Sequence, residues 1–220
     1  DEVSQWVELT GMQGRYAQPA IRHFHLGADL SNSAPSLGWP EGYPAVQTAL
    51  DNGAPTFLMV GTVEPRKGHA EVLGAFDRLW AAGHQMNLVV VGKAGWMVDD
   101  TLARFRSHER LGETFFWLDA ASDECLEDLY QRATCLIAAS EGEGFGLPLI
   151  EAARHSVPMI ARDLPVFKEV AGDAAYYFGG SESAALDDSV LAWLACWRVA
   201  FVVAAVAVGN LQTACLAVGL

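Results

Sequence analysis

Two acids and two bases stand where they could do chemistry. The stretch "SEGEGFGLPLIEA", Ser140 to Ala152, holds three glycines, a proline and three glutamates. Glu143 and Glu151 are eight residues apart, with Gly144, Phe145, Gly146 and Leu147 between them. A carboxylate accepts two hydroxyl hydrogen bonds at once, so Glu151 suits the vicinal diol of a ribose and Glu143 the hydroxyls of a second sugar. Gly142, Gly144 and Gly146 let the backbone approach a ligand closely and can take positive φ. Pro148 suits the first turn of a helix, which leaves the N–H groups of Phe145, Gly146 and Leu147 to point at an anion or at sugar hydroxyls. The bland alternative makes Glu143 a loop charge and Glu151 a helix N-terminal acid favoured by the dipole. The bases are Arg66 and Lys67 in "VGTVEPRKGHAEVLGAF", adjacent at the start of a helix. There they could hold a phosphate or diphosphate; equally, they read as solvated bases of a turn. This is neither a Walker loop nor a dinucleotide fingerprint, because neither glycine spacing is present.

The elements that must position these residues are legible from Thr56 onward. "TFLMVG", "NLVVVG", "TFFWL", "CLIAAS", "VPMIA" and "AAYYF" are short apolar runs. Helical patterns separate them: Gly68–Ala82, Asp99–Arg110, a segment N-capped by Ser122, one around Leu149–His155 and a short one near Val166–Val170. Six such runs alternating with helices predict an α/β fold, a doubly wound parallel sheet of Rossmann-like type. Ligands of open parallel sheets bind outside the carboxyl ends of the strands. The turn at 60–61, the turn at 91–92 and the stretch after Ser140 all fall on that edge. Residues 13–55 read as an irregular, Pro/Gly-rich linker and loop.

Composition narrows the class. The 220 residues are 51% hydrophobic and carry 27 acids against 14 bases, a formal charge of −13. Such a chain has no global attraction for nucleic acid, so an anionic ligand must be held by a few local groups. Cys125, Cys135, Cys196 and Cys215 form no C-x-x-C pair and no zinc-ligand spacing, so no metal site is expected. They read as reduced thiols of a cytosolic protein. "DEVSQWVELTG" lacks the form of a secretory signal and reads as an amphipathic helix with Val3, Trp6 and Val7 on one face. His69, His84, His108 and His155 read as helix-surface or helix-end residues without a partner acid, and His25 as a linker residue.

"EGFGLPLIEA" resembles the signature, two glutamates eight residues apart, of the large retaining glycosyltransferase family 4, whose members have two facing Rossmann-like domains. "VGTVEPRKG" resembles that family's diphosphate-binding turn, and "HLGADL" its interdomain linker. The resemblance runs over about residues 1–198. It implies that Lys67 and Arg66 clamp the diphosphate of a nucleotide sugar, that Glu151 binds its ribose and that Glu143 contacts the donor sugar. Gly144, Phe145, Gly146 and Leu147 would touch sugar and phosphate through their backbone. The base would rest near Gly92, Lys93 and Leu118. The implied reaction is glycosyl transfer, with retention, from a nucleotide diphosphate sugar to a hydroxyl of a glycan or lipid-linked acceptor, with no further cofactor. Peripheral association at the inner face of a membrane accompanies that reading.

Departures from the family pattern sharpen it. Many relatives carry Arg where this chain has Thr62. The G-T-x-E-P-R-K variant marks a subgroup that leans towards mannose or a related hexose and a GDP-sugar, with UDP- or dTDP-sugars as alternatives. Residues 1–12 resemble only the last helix of the N-terminal acceptor domain, residues 56–188 the nucleotide-sugar domain, and 189–220 a C-terminal helix with an atypical apolar tail. The expectation is a chain that binds donor weakly and turns over little by itself. The alternative is an incompetent nucleotide-sugar-binding remnant or scaffold. A sugar-nucleotide epimerase of the same architecture would need further acids and a His that the sequence does not show.

Overall fold

The computed structural model describes residues 38–179 and 186–196. The readings of the N-terminal helix, "HLGADL", His25 and the apolar tail lie outside the described residues. Each apolar run from Thr56 onward is a strand: β1 (Thr56–Val60), β2 (Asn87–Val91), β3 (Phe115–Leu118), β4 (Cys135–Ala138), β5 (Met159–Arg162) and β6 (Ala175–Phe178). Between them lie α2 (His69–Ala81), α3 (Asp99–Arg106), α4 (Asp123–Arg132), α5 (Leu147–Arg154) and α6 (Pro165–Ala171). Residues 186–196 form a further helix. Ser122 caps α4 as its type predicts, its Oγ accepting from the Cys125 N–H at 3.2 Å.

All neighbouring strands pair in parallel, in the order β3-β2-β1-β4-β5-β6. Both faces are covered, which is why the strands are apolar without alternation. One face sets Phe57, Met59, Leu88, Val90 and Phe115 against α2, α3 and the helix at 186–196. The other sets Leu58, Val89, Phe116 and Leu136 against α4, α5, Phe167 of α6 and one element more. That element is α1 (Tyr43–Leu50), inside the stretch expected to be irregular. Pro44 sits in its first turn, and Tyr43, Val46 and Ala49 bury one stripe on the sheet. Its last turn is held by Asn87, whose Nδ2 donates to the Ala49 carbonyl at 2.9 Å. Local Gly/Pro punctuation gave no hint of that tertiary partner. Conversely, α3 stops at Arg106, short of the expected Arg110. The Ser107 hydroxyl bonds back to the Ala103 carbonyl at 2.9 Å, and the chain turns so that His108 reaches Asp77.

Strands β1 and β4 are neighbours, yet β2 leaves β1 on one side and β5 leaves β4 on the other. The loops following β1 and β4 therefore meet at their start and lead to helices on opposite faces, with a crevice where they part. This is the topological switch point, where ligands of such sheets bind.

Candidate functional site

Arg66 and Lys67 follow β1; Glu143 follows β4. The fold brings these loops together at the switch point. The Glu141 N–H donates to the Arg66 carbonyl at 2.7 Å, and Arg66 Nη1 donates to the Gly142 carbonyl at 2.9 Å. One oxygen of Glu143, Oε2, takes both bases, Lys67 Nζ at 2.6 Å and Arg66 Nη1 at 3.3 Å. The Lys67 and Glu143 side chains are mostly covered, 15% and 14% exposed, whereas Arg66 is 43% exposed and also reaches Glu64 at 3.0 Å. Gly68 makes this approach possible. It sits at φ +77°, and a Cβ there would lie 2.5 Å from the Ala139 carbonyl oxygen. The Lys67 turn thus packs directly on the end of β4.

Of the three glycines expected to take positive φ, only Gly146 does. It precedes α5 at φ +93°, and Pro148 occupies the first turn as expected. Gly142 and Gly144 adopt no positive φ and face open space, so they leave room rather than supply a special backbone turn. Leu147 is the first residue of α5 and is partly exposed, and Phe145 precedes Gly146 in the loop. Glu143, Lys67, Gly146 and Ser140 line one small cavity at the crevice.

His69 lines the same cavity; it stands at a helix end, one of its two expected places, but is buried there and not on the surface. It is 2% exposed because the Gly68 turn presses the first residue of α2 inward. Neither ring nitrogen makes a hydrogen bond of good geometry among the described residues, although the backbone of Glu64 and of Gly61 lies close enough to favour protonation slightly. Burial, and then the charge of Lys67, lower its pKa to about 4, so the imidazole is neutral at pH 7.

Glu151 does not line that cavity. It lies one turn into α5, half-buried, with Oε2 accepting from the Tyr130 hydroxyl at 2.7 Å. Gly92 and Leu118 meet each other at the adjoining strand ends, where the Gly92 N–H donates to the Leu118 carbonyl at 2.9 Å. The Gly92 carbonyl accepts from Trp117 Nε1 at 3.0 Å, and a Cβ on Gly92 would lie 1.9 Å from the Gly61 carbonyl oxygen. A glycine is therefore required there by packing, whatever binds above it. The Lys93 carbonyl accepts from the Val63 N–H at 2.8 Å, and Thr62 is exposed in the loop after β1.

Two residues beneath the site escaped the sequence reading. Arg162, at the end of β5, is 6% exposed. Its guanidinium pairs with Glu71 of α2, donates from Nε to the Ala139 carbonyl at 3.1 Å and lies over the Phe178 ring. It holds the same carbonyl against which Gly68 packs. Burial pushes the Glu71 carboxyl up, with Arg162 opposing that rise. A charge at an apolar strand's end was the available signal. His108 and His155 also gain acids, Asp77 at 2.8 Å and Glu127 at 3.2 Å, each from a different helix and so invisible to local spacing.

A family profile described as glycosyl transferases group 1 matches residues 45–201. The chain belongs to that family. Among curated relatives, the serotype-specific mannosyltransferase WbdA of Escherichia coli is 51% identical over 197 residues, covering 90% of this chain and 23% of that protein. The O-antigen chain mannosyltransferase B of Escherichia coli is 34% identical over 118 residues, 53% of this chain and 31% of that one. The chain thus spans about a quarter of the length of the WbdA relatives. A solved glycosyltransferase from Rickettsia africae superposes with a TM-score of 0.57 at 19% identity, over 74% of this chain and 42% of that chain, which shows the shared fold. For a group 1 glycosyl transferase, the crevice at the β1/β4 switch point is where the sheet topology and the sequence motifs coincide.

Proposed function

We propose that the chain supplies the donor site of a hexosyltransferase that moves mannose, or a related hexose, from a nucleotide diphosphate sugar to a glycan or lipid-linked acceptor hydroxyl. A GDP-sugar is the favoured donor, with UDP- and dTDP-sugars as alternatives. Polysaccharide assembly from the cytoplasmic side of a membrane is the setting. The observation that carries the reading is the meeting of Lys67, Arg66 and Glu143 at the switch point. The mannosyltransferase names of the relatives supply the sugar.

In the reaction, the bond from the anomeric carbon to the diphosphate oxygen breaks, and a bond from that carbon to the acceptor oxygen forms. The hydroxyl proton leaves with the diphosphate. Charge grows on the leaving group, where Lys67 and Arg66 can stabilise it, aided by the N-terminus of α2. The side chain of Glu143 is placed to receive a sugar hydroxyl once its bases turn to phosphate. Retention follows if the hydroxyl enters on the face the diphosphate leaves.

Binding tests this directly. Calorimetric titration with GDP, UDP, dTDP and ADP should give saturable binding, tightest for GDP. Lys67→Met should weaken it roughly tenfold or more, the loss expected for a charge-assisted contact. Failure of all four to bind, or equal affinity in the variant, would reject the proposal.

A further inference from the structure

Glu151 is not held as Glu143 is. Its contact is a phenol from the neighbouring helix, and the surroundings of that phenol are specific. Tyr130 of α4 is 2% exposed and packs in the core between α4, α5 and the sheet. Burial, and then the charge of Glu151, push its pKa far up, so its oxygen keeps the proton and can only donate to the carboxylate. The ring is fixed as well. It stacks on His155 with centroids 5.5 Å apart and planes 4° apart. His155 follows the last turn of α5, and its Nε2 lies 3.2 Å from Glu127 Oε2 on α4.

The spacing makes this a seam. Glu127 and Tyr130 are three apart on α4; Glu151 and His155 are four apart along α5, so each pair faces the other helix. Two cross-helix contacts and a stacked pair between them leave the tyrosine hydroxyl one position. A tyrosine kept only for packing needs a partner for its hydroxyl, and any carbonyl would serve. Here the partner is the acid that the family resemblance in the sequence assigns to the donor's ribose.

We infer that Tyr130 is a positioning residue for Glu151. It engages Oε2 and so presents Oε1, already oriented, to the vicinal hydroxyls of the ligand's ribose. A free carboxylate must lose rotational freedom on binding; one held in advance has already lost it. The inference rests on the proposed donor site, with Glu151 taken in the ribose-binding role that the sequence resemblance implies, and the two can fail separately.

The experiment titrates the chain with three probes: GDP, a dideoxyribose analogue of GDP lacking both ribose hydroxyls, and inorganic pyrophosphate. Tyr130→Phe keeps the ring and its stack on His155. It should weaken GDP about fivefold to tenfold while leaving pyrophosphate and the dideoxy analogue within about twofold of wild type. In a Glu151→Gln background, adding Tyr130→Phe should change GDP affinity no further. Replacing Tyr130 with 4-fluorophenylalanine, which keeps the ring and nearly fills the hydroxyl's space without donating a proton, serves as the second variant where the Phe chain fails to fold. Unchanged GDP affinity in Tyr130→Phe, with a loss in Glu151→Gln, overturns the inference and leaves the ribose reading standing. Equal weakening of all three probes also overturns it, because the tyrosine would then only support the fold. Unchanged GDP affinity in Glu151→Gln rejects the ribose reading and the inference with it.

Discussion

Two ion pairs bridge the same gap between the start of α2 and the far half of the sheet, and they do opposite work. Lys67–Glu143 sits at the mouth of the crevice, made by two loop-borne side chains, with Arg66 as a third and more exposed member. Arg162–Glu71 lies beneath it, from a strand end to a helix, with side chains 7% and 12% exposed. Under the proposed function the upper pair would exchange partners, since an arriving diphosphate would offer Lys67 and Arg66 more negative charge than one carboxylate does. The lower pair has no such alternative. Its arginine is also tied to the Ala139 carbonyl, so the pair fixes the surface on which the Lys67 turn rests. On the proposed function the difference lies in position, at the loop mouth for one pair and beneath it for the other, since both pairs are largely covered.

The strongest way to break that distinction is to remove the lower arginine. Arg162→Met leaves Glu71 buried without its cation, and one Glu71 oxygen already lacks a hydrogen bond among the described residues. Breaking such a pair costs about 3–5 kcal/mol. Urea unfolding of the variant should show this loss, and adding Glu71→Met should restore much of it by removing the stranded acid. A loss below about 1 kcal/mol in the single variant would mean the lower pair behaves like an exposed one.

His69 separates the layers through pH. It lies beside Lys67, and its pKa falls from 6.5 to about 4 on folding. The folded state therefore refuses a proton that the unfolded chain accepts between those values. The stability this neutral histidine preserves is complete above about pH 6.5 and is lost as pH falls towards 4, by up to about 3 kcal/mol. Unfolding curves measured across that window should flatten in His69→Met relative to wild type. Parallel pH dependences in the two proteins would refute the buried, uncharged state of the imidazole.

Much of this arrangement was legible in the chain. The strands from β1 to β6 were readable because runs buried on both faces carry no polar interruptions. The strand ends then placed Lys67 and Glu143 on one edge. Their contact follows from the strand order, in which β1 and β4 are neighbours. What stayed hidden depended on partners distant in sequence. Helix α1 is punctuated like a loop and held by Asn87 of another element. His69 read as a helix-surface or helix-end residue, and its burial at the helix end depends on the close approach of the Gly68 turn to Ala139, which is distant in sequence. Tyr130 carried no signal in the sequence, since nothing within α4 names Glu151 as its partner. Arg162 ends a strand whose other residues are apolar, and the sequence offers that anomaly without offering Glu71.

The smallest expected effect bears most directly on the upper pair. If Glu143 takes the position that an anionic ligand would hold, it competes with any phosphate for Lys67 and Arg66. Glu143→Gln keeps the shape but removes the charge that must be displaced. Pyrophosphate should then bind more tightly, by about threefold to fivefold, in line with the modest worth of partly solvated ion pairs. The sign is the informative part. Were Glu143 instead an organiser that holds Lys67 in place for phosphate, the same substitution would weaken pyrophosphate. Titrating wild type and variant at low and at moderate salt decides between the two. The gain should shrink as salt screens the exposed Arg66 contribution, while the part carried by the more covered Lys67 should persist.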